Sequence, residues 1–108
     1  MINFIYITTE SKEEAKKVAA PLIEEGLAAC ANIIPGMKSV FYWEGEVQSE
    51  EECILIVKTD ERMNERVMER VRTLHSYDCP CMLVLPVKDG NKDFLDWVQE
   101  QITVGDRG

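Results

Sequence analysis

The sequence predicts a mixed α/β (α+β) domain of the ferredoxin-like class: a split βαβ in the order β-α-β-β-α-β, with one further helix at the end. Three features point there. Four runs rich in β-branched and aromatic residues alternate with stretches whose apolar residues recur at helical spacing. The two middle runs are separated only by Trp43-Glu44-Gly45-Glu46, which makes them one long hairpin. The 108 residues suit a single domain over 1–108, large enough for a core without covalent staples.

The first strand, 2–8, carries apolar residues on both faces and is expected at the centre of the sheet, covered on both sides or nearly so. Ser11-Lys12-Glu13-Glu14 has the spacing of a capping box, in which hydroxyl and carboxylate satisfy each other's free amides. Ala15, Val18, Ala19, Leu22 and Ile23 then follow a helical period, and Gly26 provides a left-handed stop. Pro21 lies inside that helix, removes a bond to the Lys17 carbonyl and is expected to kink it.

Strands are expected over 28–42 and 47–59, the first broken or bulged at Pro35-Gly36. A second helix begins near Asp60, with Met63, Val67, Val71 and Leu74 inward. The fourth strand, 81–87, contains Pro86 and therefore belongs at an edge, since proline cannot donate to a ladder. After Lys88-Asp89-Gly90-Asn91 a short third helix turns Phe94, Leu95, Val98 and Ile102 inward.

The net charge of −8 and the alternation of Glu and Arg along the second helix argue against nucleic acid, which needs a clustered basic face. They argue equally against anionic membrane. No basic-then-apolar leader opens the chain, and no apolar run reaches the roughly 20 residues of a membrane span. The expected location is cytoplasmic, where Cys30, Cys53, Cys79 and Cys81 remain thiols.

The middle strands also bear on assembly. About 13 residues at about 3.3 Å each extend roughly 43 Å, whereas a compact domain of this length is about 34 Å across. The hairpin should overhang, carrying Phe41, Tyr42 and Trp43, and a partner subunit is the expected cover.

Several residues offer chemistry beside a plainer role. His75, the only histidine, is either a helix C-terminal residue favoured by the dipole or a metal ligand or acid/base group. Tyr77 either packs or orients a ligand through its hydroxyl. Cys79-Pro80-Cys81 is too extended for an easy disulfide; it packs, or it holds a soft cation such as Cu(I) or Zn(II). Cys30 and Cys53 read as core residues, although Cys30 is also a candidate facing a cleft. Lys58 either ends a strand in solvent or offers its ammonium to an anion. Glu44, Glu46, Glu50, Glu51 and Glu52 form a solvated surface or gather divalent ions loosely. Trp97 reads as core or interface, with a ligand platform as the alternative. No Gly-rich phosphate loop, HExxH, nucleophile elbow or CxxC is present, so no reaction is indicated.

The run from Glu25-Gly26-Leu27-Ala28-Ala29-Cys30 through Pro35-Gly36 to Ser39-Val40-Phe41-Tyr42-Trp43-Glu44-Gly45 closely resembles the CutA family, the divalent-cation-tolerance proteins. Ile56-Val57-Lys58-Thr59, Leu74-His75-Ser76-Tyr77 and Leu83-Val84-Leu85-Pro86-Val87 fit the same pattern, from about Asn3 to Ile102. The resemblance implies a homotrimer with hairpins paired across subunits, linked to divalent-cation (copper) tolerance. It also implies a cleft between subunits that takes a metal ion or small ligand. By matching positions it places Lys58, His75, Tyr77, Asp96 and Trp97 near that cleft, and it makes Cys30 a recurring thiol. The chain departs from the pattern at Ser76, Cys79 and Cys81, where similar members carry proline, an aliphatic or small residue, and glutamate. Some metal-binding members pair a first-strand thiol with two adjacent histidines; the matching positions here are Ile7 and Leu74. A regulatory trimer like the PII proteins, with an effector in the subunit cleft, is the competing expectation. An enzyme using Lys58, His75, Tyr77 and Asp96 is a third.

Overall fold

A computed structural model describes residues 1–102. The elements are β1 (Ile2–Thr9), α1 (Lys12–Glu24), β2 (Cys30–Trp43), β3 (Glu46–Asp60), a 3-10 turn (Glu61–Met63) leading into α2 (Asn64–Leu74), β4 (Met82–Pro86) and α3 (Lys92–Gln101). The sheet order is β2-β3-β1-β4, antiparallel throughout. β1 and β2 thus run parallel with β3 inserted between them, which is the split βαβ. Residues 103–108 of the expected single domain lie outside the described residues.

Local rules account for most boundaries. Ser11 caps α1 by accepting the Glu14 N–H at 3.1 Å. The reciprocal half of the expected capping box differs: the Glu14 carboxylate accepts from the amides of Glu10 at 3.1 Å and Ser76 at 3.0 Å. It therefore ties the start of α1 to the segment after α2. Gly26 takes φ 70°, and the Leu27 and Gly26 amides donate to Leu22 and Ile23 carbonyls. That is a Schellman stop, open to glycine because it lacks a Cβ.

At Pro35-Gly36 the register slips: Ile34 faces Ile54 but Met37 faces Glu52, so two residues of β2 oppose Cys53 alone. This is the expected bulge, with Gly36 at φ 80°. The hairpin closes through Glu44 and Gly45, both left-handed at φ 49° and 85°, as a two-residue turn of this hand requires. β4 pairs only with β1 and is the edge strand that Pro86 predicts.

α1 and α2 cover one face of the sheet. Val18, Leu22, Val67 and Val71 pack on Ile5, Ile7, Leu55 and Val57 in the main core. The opposite face departs from the expectation that β1 is covered on both sides. There α3 buries only one end, where Val98 meets Ile2 and Ala29. Two rows cross the remainder of that face, Cys30–Lys58–Phe4–Leu85 and Asn32–Ile56–Tyr6–Leu83. Leu83, Leu85 and Ile34 on it are exposed, and Phe4, Tyr6 and Ile56 are half-buried.

Phe94 corrects the expected inner face of α3: it is exposed, stacked on Trp97 with centroids 5.7 Å apart. The sheet under α3 is already filled by Val98 and Leu95, so the larger ring lies at the margin. The molecule extends 46 × 30 × 22 Å, elongated as the hairpin length demands. Among the described residues no helix is long and apolar enough to cross a membrane.

Candidate functional site

The candidate residues fall into two groups along β3, one near its middle and one near its end. Glu52 and Lys58 are six residues apart on that strand, a separation of about 20 Å, and each anchors one group.

At the hairpin root, α2 ends on His75, which is buried and fully engaged. Its Nδ1 accepts the Tyr77 N–H at 3.0 Å, so the ring proton is on Nε2, which donates to the Thr8 carbonyl at 2.7 Å. The ring locks the turn after α2 onto the end of β1. Tyr77, 4.8 Å from the imidazole by ring centroids, then reaches across to donate its hydroxyl to Glu52 Oε2 at 2.8 Å. Ser39 donates to the other oxygen, Oε1, at 2.5 Å, so both Glu52 oxygens are held. Burial first, then the Glu52 hydrogen bond and the charges of Glu52, Glu50 and Glu10, push the Tyr77 phenol above its ordinary value. The hydroxyl is thus a fixed donor. Glu14 below the turn behaves oppositely. Burial acts to raise its carboxyl, but the bonds from Ser76 and the Glu10 amide outweigh that and hold it low.

Cys79 is exposed in the same loop and Cys81 is half-buried at the start of β4. Burial and the Glu52 charge push the Cys81 thiol up, against a hydrogen bond with the Thr8 side chain. Cys53 is buried in the main core, as expected.

Near the end of β3, Lys58 lies between two rings, its Nζ 5.7 Å from the Phe4 centroid and 5.5 Å from that of Phe94. Both are within cation–π reach. Cys30 is its cross-strand neighbour. Trp97 joins through its stack on Phe94. Asp96 points away into solvent, paired with Lys92 at 2.7 Å.

The structure therefore brings His75, Tyr77 and Cys79 together, and separately Lys58, Cys30 and Trp97. It does not unite the two groups within one protomer. Among the described residues no three His, Cys, Asp or Glu side chains are arranged to hold a metal ion. Nor do the hairpin aromatics share a face. Phe41 stands opposite Gln48 and Tyr42 opposite Val47, so alternation puts Phe41 and Trp43 on one side and Tyr42 on the other.

Glu52 is the residue whose part is hardest to see in the sequence, where it is one of several hairpin glutamates. The available signal is its alternation with Gln48 and Glu50 on the face that also carries Ser39 and Phe41.

The family model described as CutA1 divalent ion tolerance protein matches residues 3–101. The divalent-cation tolerance protein CutA of Archaeoglobus fulgidus is 46% identical over 102 residues, covering 94% of this chain and 99% of the relative. That of Thermus thermophilus is 43% identical over 100 residues, 93% of this chain and 97% of the relative. The solved structure described as the periplasmic divalent cation tolerance protein CutA from Archaeoglobus fulgidus superposes with a TM-score of 0.91. It is 46% identical, and the match covers 95% of this chain and 100% of that one.

Proposed function

The chain belongs to the CutA family of divalent-ion tolerance proteins, and from that premise we propose that it acts as a cytoplasmic homotrimer binding a metal ion or small ligand between subunits. The observation that carries this is the half-covered sheet. An acidic chain of 108 residues leaves Ile34, Leu83 and Leu85 exposed on one face, beside half-buried Phe4, Tyr6 and Ile56. A largely apolar face of that kind, interrupted only by Asn32 and Lys58, calls for a protein partner, and closed rotational symmetry is its commonest form.

A head-to-tail ring also supplies what one protomer lacks. It sets the hairpin-root group of one subunit against the Lys58 end of the next, making one cleft from two half-sites. Binding, not turnover, is the role assigned to that cleft. Because both His75 nitrogens are occupied, the metal ligands proposed here are the thiols of Cys79 and Cys81, with Cys30 from a neighbouring subunit. Thiolates select soft cations, copper or zinc over magnesium.

The test is competitive chelator titration under reducing conditions, on wild type and on a Cys79→Ser/Cys81→Ser double variant. The proposed site binds Cu(I) or Zn(II) in the wild type alone. It also releases protons and weakens as pH falls, since burial already holds the Cys81 proton. Equal binding by both proteins removes the two thiols from the site. Failure of either to bind below about micromolar leaves cation tolerance as an indirect effect of the trimer.

A further inference from the structure

A groove of about 570 Å³ lies between α2 and the turn that joins α1 to β2, within the size range of small-molecule sites. Its floor is Leu27, and Arg66, Arg70 and Thr73 stand along one flank of α2 beside it. We propose that this groove binds a zwitterionic α-amino acid with a large apolar side chain, its carboxylate on Arg66, its ammonium on Glu65 and its side chain over Leu27. The site shares no residue with the thiols or with the cleft between subunits, so neither reading depends on the other.

Helical spacing builds the wall. Positions 66, 70 and 73 follow at one-turn intervals and share a flank next to the buried Val67 and Val71, while 65 and 69 form a row further from the core. Contacts across the groove hold that flank in place. Arg70 Nε donates to both Glu25 oxygens at 3.0 Å and Nη2 donates to Oε2 at 2.8 Å, while Nη1 reaches the Thr73 hydroxyl at 3.1 Å. The Thr73 hydroxyl in turn donates to the Arg70 carbonyl at 2.7 Å. The turn that carries Glu25 and Leu27 is fixed as well, since its amides donate back to carbonyls of α1.

The charges then divide by availability. Glu25 is taken by Arg70, and Glu69 pairs with Arg72 at 2.9 Å. Glu65 and Arg66 line the same groove with no hydrogen bond or ion pair among the described residues. Adjacent helix positions do not face each other, so this acid and this base stay unpaired and hold the two charges of a ligand seated between them. The planar guanidinium matches a carboxylate in two-bond geometry. A ligand carrying only a carboxylate meets Glu65, Glu69 and a net charge of −8. One carrying only an amine leaves Arg66 as a like charge beside it. Val67 and Val71 pack α2 on the side of the sheet opposite Ile34, Leu83 and Leu85. No groove residue belongs to a strand, so the subunit contact proposed for the open sheet face does not cover the groove.

The experiment is a ¹H–¹⁵N titration of the intact protein with L-phenylalanine and, in parallel, with 3-phenylpropanoate and 2-phenylethylamine, which lack its ammonium and its carboxylate respectively. Phenylalanine should shift the Leu27 and Thr73 amide signals saturably, while the Trp43 indole at the hairpin tip stays still. Each single-charge analogue should bind about fivefold more weakly or worse, as loss of a charge-assisted bond requires. Arg66 is exposed, so Arg66→Gln removes the charge without opening the core, and it should weaken phenylalanine by about the same factor. Absence of saturation, equal binding of either analogue, or unchanged affinity in Arg66→Gln would each overturn the proposal.

Discussion

Asp60 is almost fully buried, yet it carries its charge at the junction of three segments. It accepts from the Arg62 amide at 2.9 Å, Arg62 Nε at 2.8 Å and Gln99 Nε2 at 2.5 Å, with the N-terminal ammonium at 3.5 Å. Burial alone would raise its carboxyl, but these donors together hold it far below the ordinary 3.8. The folded state therefore binds that proton more weakly than the unfolded chain. The resulting stability is present above the unfolded value and is lost as pH falls from there through the depressed folded value. Asp60→Ala should cost about 1–3 kcal/mol in urea unfolding at neutral pH and flatten the acid limb of the stability curve. An unchanged midpoint would mean that α3 docks without it. Asp60 is recognisable in the sequence as a helix-starting residue, but its bond to Gln99, 39 residues away, leaves no local trace.

Among the elements, the hairpin is the most legible and the most improvable. Its strands, bulge and turn follow from β-branched runs, Pro35-Gly36 and Glu44-Gly45. Glu44 nonetheless occupies a left-handed conformation, φ 49°, that a long side chain adopts at a cost. Glu44→Asn should stabilise the fold by about 0.5–1 kcal/mol, as asparagine tolerates that region and suits this turn. Gly45→Ala should destabilise by about 1 kcal/mol or more. Its φ of 85° is the cause, since no atom lies within 4 Å of the added Cβ. Thermal melts of the two variants should move in opposite directions. α3 was less legible. Apolar spacing places Phe94 inward, but which residue fills the space under a helix depends on the sheet below it. Val98 and Leu95 occupy that space, leaving Phe94 to cover Lys58.

At the scale of the molecule, the strand order follows from the element order and the long hairpin. The open sheet face does not. Apolar residues on both faces of β1 predict burial without naming what does the burying, and within one protomer α3 covers only an end. The candidate site has the same history. His75, Tyr77 and Cys79 are close in sequence and close in space, whereas Cys30, Lys58 and Trp97 assemble about 20 Å away, a separation visible only once register is known. The proposed trimer would answer both facts, and it would give a partner to Tyr42, which is 72% exposed on the hairpin face it shares with Val40 and Val47. Tyr42→Asp should therefore shift the protein toward monomer or aggregate, read by size-exclusion chromatography. Retention of the wild-type elution volume would place that face outside the contact.

The most direct measurement is sedimentation equilibrium of the wild-type protein on dilution into the micromolar range. A homotrimer built on the open sheet face sediments at three times the chain mass of 12.4 kDa, without dependence on concentration there. A monodisperse species at the single-chain mass would show that this face needs no partner, and the composite cleft between subunits would fall with it.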